Sequence, residues 1–321
     1  MFYFRYGIVL FILMWVYVWF ARRNGIIDKP NERSSHYKAV VRGAGVVFPL
    51  SLIVFKVTYS QYYINFSYVF VGAMLISIIS FIDDLKSLPV YIRFPIHIIS
   101  VALLIYGFDI FSVWNWWSLL VLMIIMLGIV NAYNFMDGIN GITALYSLIA
   151  FCSFWYVIKY VEHIDSTAFV NYGIVSCLVF LFFNFRKNAL CFLGDVGSIG
   201  LGFWIIAALA YVIFWSYHFE YILFLSVYLL DTGFTFFQRL LNGENVIKPH
   251  RKHLYQLLVN EYGLSHLMVA TIYAGVQLII NAFVISSNYP LIPTTMLIAI
   301  PLIFVYVLVK RNIIGPKIDL K

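Results

Sequence analysis

Charge is what this chain has least of. Acidic and basic side chains make up 11% of its 321 residues and hydrophobic ones 63%, against about 25% and roughly 45–50% in a soluble domain. That balance excludes a water-soluble globular protein. Cysteine is scarce as well: Cys152, Cys177 and Cys191 show no CxxC spacing, and an odd number closes no disulfide framework. They read as buried thiols. The first apolar run lacks a small-residue cleavage site and is followed directly by Arg22 and Arg23, which predicts an anchor rather than a cleaved leader. Internal repeats, low-complexity tracts and composition shifts are lacking too, so residues 1–321 are expected to form one integral-membrane domain.

What the chain has in abundance is apolar sequence. Spanning helices need about 20 mostly apolar residues, and such runs lie near 2–21, 43–59, 65–82, 94–108, 117–133, 141–160, 168–185, 198–215, 219–237, 267–286 and 290–309. The expected fold is all-α, a polytopic membrane helical bundle of about 11 transmembrane helices, with the N-terminus outside and the C-terminus cytoplasmic. Under that topology 18 of the 21 Lys and Arg residues fall on the cytoplasmic side, and only Arg5, Lys56 and Lys159 fall elsewhere, as the positive-inside rule requires. The net charge of +7 is then accounted for by insertion and anionic headgroups, so no nucleic-acid partner is expected. Ten of the fourteen acids fall at or near the same face. A transporter would instead need polar groups near the midplane.

Five polar stretches interrupt the apolar pattern. In "FIDDLKSL" (81–88), Asp83 and Asp84 end a span. Adjacent carboxylates repel unless a cation neutralises them, and their hard oxygens suit Mg²⁺; the bland alternative is a solvated helix end. In "CFLGDVGSIGLGF" (191–203), Asp195 stands between Gly194 and Gly197 before an apolar run. That pattern fits either a phosphate near a helix N-terminus or simple capping by Asp195 or Ser198.

"NAYNFMDGING" (131–141) sets Asn131, Asn134, Asp137 and Asn140 three apart. Three such steps on a helix bring Asn140 roughly opposite Asn131, so one polar face is not what the row makes. Gly138 and Gly141 predict a break near Asp137, from which Asn134, Asp137 and Asn140 are expected to converge on a ligand while Asn131 contacts a neighbouring helix. "KPHRKHLYQ" (248–256) offers His250, Arg251 and His253 for an anion or a nucleobase, with Tyr255 to stack; no further ligand stands at zinc-site spacing. "DKPNERSSHYKAVVRGAG" (28–45) offers Arg33, His36, Lys38 and Arg42 to a lipid phosphate. Both basic stretches also read as topology signals.

Taken together and in this order, "DKPNERSSH", "FIDDLKSL", "NAYNFMDGINGI", "FLGDVGSIGLGF" and "HRKHLYQ" resemble the bacterial polyprenyl-phosphate N-acetylhexosamine-1-phosphate transferases of the WecA and WbpL type, more distantly related to MraY. The resemblance implies transfer of a sugar 1-phosphate from a UDP-N-acetylated sugar to undecaprenyl phosphate in the bacterial inner membrane, with release of UMP, to initiate a glycan such as O-antigen or capsule. It implies Mg²⁺, with Mn²⁺ as a substitute, on Asp195. It makes Asp83 and Asp84 the acids that handle the lipid phosphate, and carries the nucleotide–metal side to Asn134, Asp137 and Asn140, with Asp137 among the catalytic acids. His250, Arg251 and His253 fall to nucleotide-sugar recognition. A homodimer is compatible with all of this.

Three departures from the family pattern stand out. Asn140 replaces the usual Asp, and an amide is neither a base nor a strong Mg²⁺ ligand. The loop before Gly45 lacks the two prolines common in the family. The histidine motif reads HRKH rather than HIH or HHH. The competing classes fit less well. A prenyltransferase DDxxD motif needs an acid where Ser87 stands, and a CDP-alcohol phosphotransferase needs further Asp residues after Asp137 and Gly138, where none occurs before Glu162.

Overall fold

A computed structural model describes residues 2–28, 39–59, 66–246, 250–287 and 289–318. The chain runs α1 (Phe2–Arg23), the two-residue strands β1 (Ile27–Asp28) and β2 (Val40–Val41), α2 (Val47–Tyr59), α3 (Phe66–Leu85) and α4 (Val90–Gly107). It continues through the short α5 (Ile110–Val113), α6 (Trp116–Met136), α7 (Ile142–Tyr156), α8 (Ala168–Asn184), α9 (Gly194–Ser216), α10 (Ser226–Leu241), α11 (Leu254–Asn260), α12 (His266–Ser286) and α13 (Leu291–Ile318). The fold is an all-α polytopic bundle, and the β1–β2 pair is the one sheet among the described residues.

Nine of the described helical segments are long and apolar enough to cross a membrane, and Ala44–Tyr59 and Ala168–Asn184 are shorter apolar helices. The expected runs at 43–59 and 168–185 are these two short ones. The run expected to be shortest, 94–108, is extended by the start of α4 at Val90, with Pro89 in extended conformation as its N-cap.

Helix α9 is the axis of the bundle. Buried residues make up 94% of its most apolar window, which is why its sequence is apolar all round rather than on one face. α10 inverts the soluble pattern: Asp231, Thr235 and Arg239, one turn apart, are buried while Phe237 and Leu241 are exposed. Polar groups in membrane helices face the bundle interior in this way.

The span before α10 is broken, a 3₁₀ segment at Phe219–Leu225 giving way to α-helix at Ser226. Backbone groups freed by such a break need partners inside the protein. Gln277 on α12 supplies them: its amide donates to the Leu223 carbonyl at 3.0 Å, and its carbonyl oxygen accepts from the Val227 amide at 3.0 Å.

Candidate active site at one end of the bundle

The site begins with a backbone crossing. The amides of Ala44 and Gly45 donate to the carbonyls of Phe192 and Leu193 at 3.1 and 2.9 Å, and the Phe192 amide donates to the Val41 carbonyl at 2.7 Å. A side chain at Gly45 would lie 2.1 Å from Gly197 Cα, so only glycine allows the approach. This zipper carries Arg42 to the start of α9.

Asp84, at the end of α3, caps α9. Its two carboxylate oxygens accept the amides of Asp195 and Val196 at 2.9 Å each, satisfying donors that a helix start leaves free. Gly194 has φ +73°, and a Cβ there would lie 2.5 Å from the Asp84 carboxylate. Arg42 Nε donates to Asp84 at 2.8 Å, and its Nη2 lies 3.8 Å from Asp195.

Asp83 accepts the Leu88 amide at 2.5 Å and pairs with Arg93 on α4, whose same Nη1 reaches Asp195 at 3.3 Å. Asn134, near the end of α6, donates to Asp195 at 3.2 Å and to the Ser198 hydroxyl at 3.1 Å. Asp83, Asp84, Asp195, Arg42, Arg93 and Asn134 thus meet at one end of the bundle. Three carboxylates face two guanidiniums, which leaves a negative charge over.

Asp137 ends α6 as its C-cap, where the break is expected, and accepts from the Thr143 hydroxyl at 2.7 Å. Burial first, and then the charges of Asp195 and Asp84, push its carboxyl up to about 7 against the pull of the Thr143 bond. Asn134 of the row thus lies with Asp195, while Asn140 and Asn131 turn elsewhere. Asn140 donates its side-chain amide to the Arg186 carbonyl at 2.8 Å, while its backbone amide meets His266 at 3.3 Å. It ties the turn to the loop after α8. Asn131 bonds back to the Leu127 carbonyl of its own helix at 2.9 Å, where a contact with a neighbouring helix is expected from the sequence.

The histidine stretch packs beside this turn. The rings of His250 and His253 are 4.8 Å apart, and His253 stacks toward the exposed Phe135 at 6.3 Å. Burial, followed by the neighbouring His253, Arg239 and Lys252, lowers His250 to about 4, so it is uncharged at neutral pH. Among the described residues, Nε and Nη2 of Arg251 are buried with no hydrogen-bond partner, and an anion is what such donors lack. Tyr255 stacks inside the protein, on the His253 ring at 6.0 Å: it is fully buried and donates to the Phe135 carbonyl at 2.9 Å, because the first turn of α11 wedges it under Gly138. Arg33, His36 and Lys38 lie outside the described residues.

Sequence reasoning passes over Arg93 and Ser198 as members of the site. Arg93 reads as one more topology charge, and its place ten residues after Asp83, just past the paired acids, is the signal that could have found it.

Fold and site together define a class: a multi-pass helical membrane protein with its charged chemistry gathered at one end of the bundle. Residues 66–214, from the start of α3 to near the end of α9, match the sequence model of glycosyl transferase family 4. A 121-residue stretch, 36% of the chain, is 36% identical to a Bacillus subtilis (strain 168) protein described as a probable undecaprenyl-phosphate N-acetylglucosaminyl 1-phosphate transferase. The match spans about a third, 33%, of that relative's length.

Proposed function

We propose that this protein transfers a sugar 1-phosphate from a UDP-N-acetylated sugar to a polyprenyl phosphate such as undecaprenyl phosphate, releasing UMP at the cytoplasmic face of a bacterial inner membrane. The observation that carries the reading is the meeting of Asp83, Asp84 and Asp195 with Arg42, Arg93 and Asn134 at one end of the bundle. Joining two phosphorylated substrates is mainly positioning and charge stabilisation, and this arrangement brings both signs of charge to one point. The relative's printed description supports the same substrates. Glycan initiation of the O-antigen or capsule kind is the role that such a lipid-linked product would serve.

Mg²⁺ fits the donor set. Among the described residues no three His, Cys, Asp or Glu form a ready cage, but Mg²⁺ commonly takes one or two carboxylates and completes its sphere with water and substrate phosphates. Asp195, with Asp83 beside it across the Arg93 guanidinium, would hold it, and bound there it would neutralise pyrophosphate charge.

The chain's own groups supply the rest. A phosphomonoester with a second pKa of about 6 is mostly dianionic at neutral pH, so the acceptor needs little base assistance. Arg42 and Arg93 would receive and orient it. One acceptor oxygen then bonds to the β-phosphorus of the UDP-sugar as the bridging oxygen leaves with UMP. Asp83 guides the acceptor or takes its last proton. Arg251 and His253, beside Phe135, hold the nucleotide end, and Asn134 fixes Asp195. Asp83 as a nucleophile, with a covalent intermediate, is the competing route.

The test is to supply folded full-length protein with undecaprenyl phosphate, Mg²⁺ and a panel of UDP-N-acetyl sugars and to follow UMP. Release that needs both substrates supports the reading; no UMP with any sugar refutes it.

A further inference from the structure

One buried carboxylate outside the acid cluster ties four helices together. Asp231 on α10 is 1% exposed. Its Oδ1 accepts the Leu254 amide at 2.9 Å and its Oδ2 the Tyr255 amide at 3.4 Å, both at the start of α11. Tyr273 of α12 donates to it at 2.7 Å and Tyr306 of α13 at 3.3 Å, and Tyr306 in turn accepts from the buried Lys310 at 2.9 Å. His253 Nδ1 lies 3.5 Å from its Oδ1.

A carboxylate is an expensive way to hold a bundle together, since burying it costs several kcal/mol and apolar packing is often at least as stable. What it does here that a leucine could not is fix a short helix by its backbone. α11 has seven residues, too few to be stable alone, and it carries the histidine stretch at its head. The Tyr255 hydroxyl on the Phe135 carbonyl then couples α11 to the turn between Asn134 and Asp137. The spacing between Arg251 and His253 on one side and the Asn134–Asp195 pair on the other therefore depends on Asp231.

We propose that Asp231 is a positioning residue: without touching substrate, it holds Arg251 and His253 in register with the acid cluster, so that the nucleotide sugar is bound at both ends. This rests on the transferase reading above.

The experiment compares Asp231→Asn and Asp231→Ala with wild type as full-length protein in nanodiscs. Asp231→Asn keeps an oxygen acceptor but loses the charge. Its NH2 replaces one accepting oxygen and faces N–H and O–H donors, so the substitution is expected to lower the melting temperature modestly and to raise KM for the UDP-sugar about tenfold or more, with KM for the lipid acceptor within about threefold. An unchanged KM for the UDP-sugar, or equal rises for both substrates together with lowered stability, would overturn the proposal. Amide exchange at Leu254 and Tyr255 is read without substrate; Asp231→Ala is expected to speed it about tenfold, and exchange as slow as wild type would also overturn it. Should Asp231→Ala fail to fold, the kinetic split in Asp231→Asn decides. Faster exchange in Asp231→Ala, with no UMP released by wild type, supports the anchoring by Asp231 and refutes the transferase reading alone.

Discussion

Asp84 caps the helix that presents Asp195: the carboxylate of one accepts the backbone amide of the other at 2.9 Å. The paired acids of α3 are therefore not equivalent. Asp84 has a side chain with no exposure, while Asp83 pairs with Arg93. Asp84→Ala leaves the amides of Asp195 and Val196 without acceptors and Arg42 without its closest partner. Such losses cost roughly 1–3 kcal/mol, so the variant is expected to lose thermal stability as well as activity. Asp83→Asn is expected to lose activity with stability nearly unchanged. Thermal unfolding and UMP release measured on both variants check the division.

Arg93 reaches Asp83 and Asp195 from α4 through one guanidinium nitrogen. Lysine supplies the charge without the planar fork. Arg93→Lys is expected to retain measurable turnover with a raised KM for the lipid acceptor, and Arg93→Ala to lose about a hundredfold or more in kcat/KM. Steady-state kinetics with varied acceptor separate the two.

At Gly194, φ is +73° and an added Cβ would meet the Asp84 carboxylate. A residue with a side chain is strained by roughly 1–3 kcal/mol in such backbone conformations, before the clash is counted. Gly194→Ala is expected to lower the melting temperature and to remove activity even in the folded fraction. Gly243, also at positive φ but with nothing within 4 Å of an added Cβ, is the control, and its alanine variant should retain activity.

The pH dependence should carry the mark of Asp137. Burial pushes its carboxyl up to about 7, so its ionised fraction rises as pH increases through that value. If the carboxylate is the working form, kcat/KM climbs between about pH 6 and 8 above the acceptor's own ionisation near about 6, and Asp137→Asn removes the part of the rise near 7 along with most of the activity. A flat profile in wild type argues against a role for its ionisation. Chelation gives an independent check on the metal: EDTA should abolish UMP release, and added Mg²⁺ or Mn²⁺ should restore it.

The spans were legible because an apolar run of membrane length has few other uses, and the break at Asp137 was legible because two glycines follow it. The pairings were not. Asn134 meets Asp195 across 61 residues and Arg93 meets it across 102, and no local pattern specifies which helix ends lie side by side. Asn140 illustrates the converse. Its spacing suggested a site amide, yet the turn directs it to the Arg186 carbonyl, since a buried amide takes the nearest backbone acceptor. Tyr255 likewise looked like a ring for stacking on a nucleobase, and burial at the start of α11 made it a strut.

The central claim is that the acids gathered at the start of α9 perform the transfer, and Asp195→Asn tests it most directly. UMP release from a UDP-N-acetyl sugar with undecaprenyl phosphate and Mg²⁺ is measured for wild type and variant at matched folding. The account predicts turnover by wild type and at least a thousandfold loss in the variant at an unchanged melting temperature; near-normal UMP release by Asp195→Asn would contradict it.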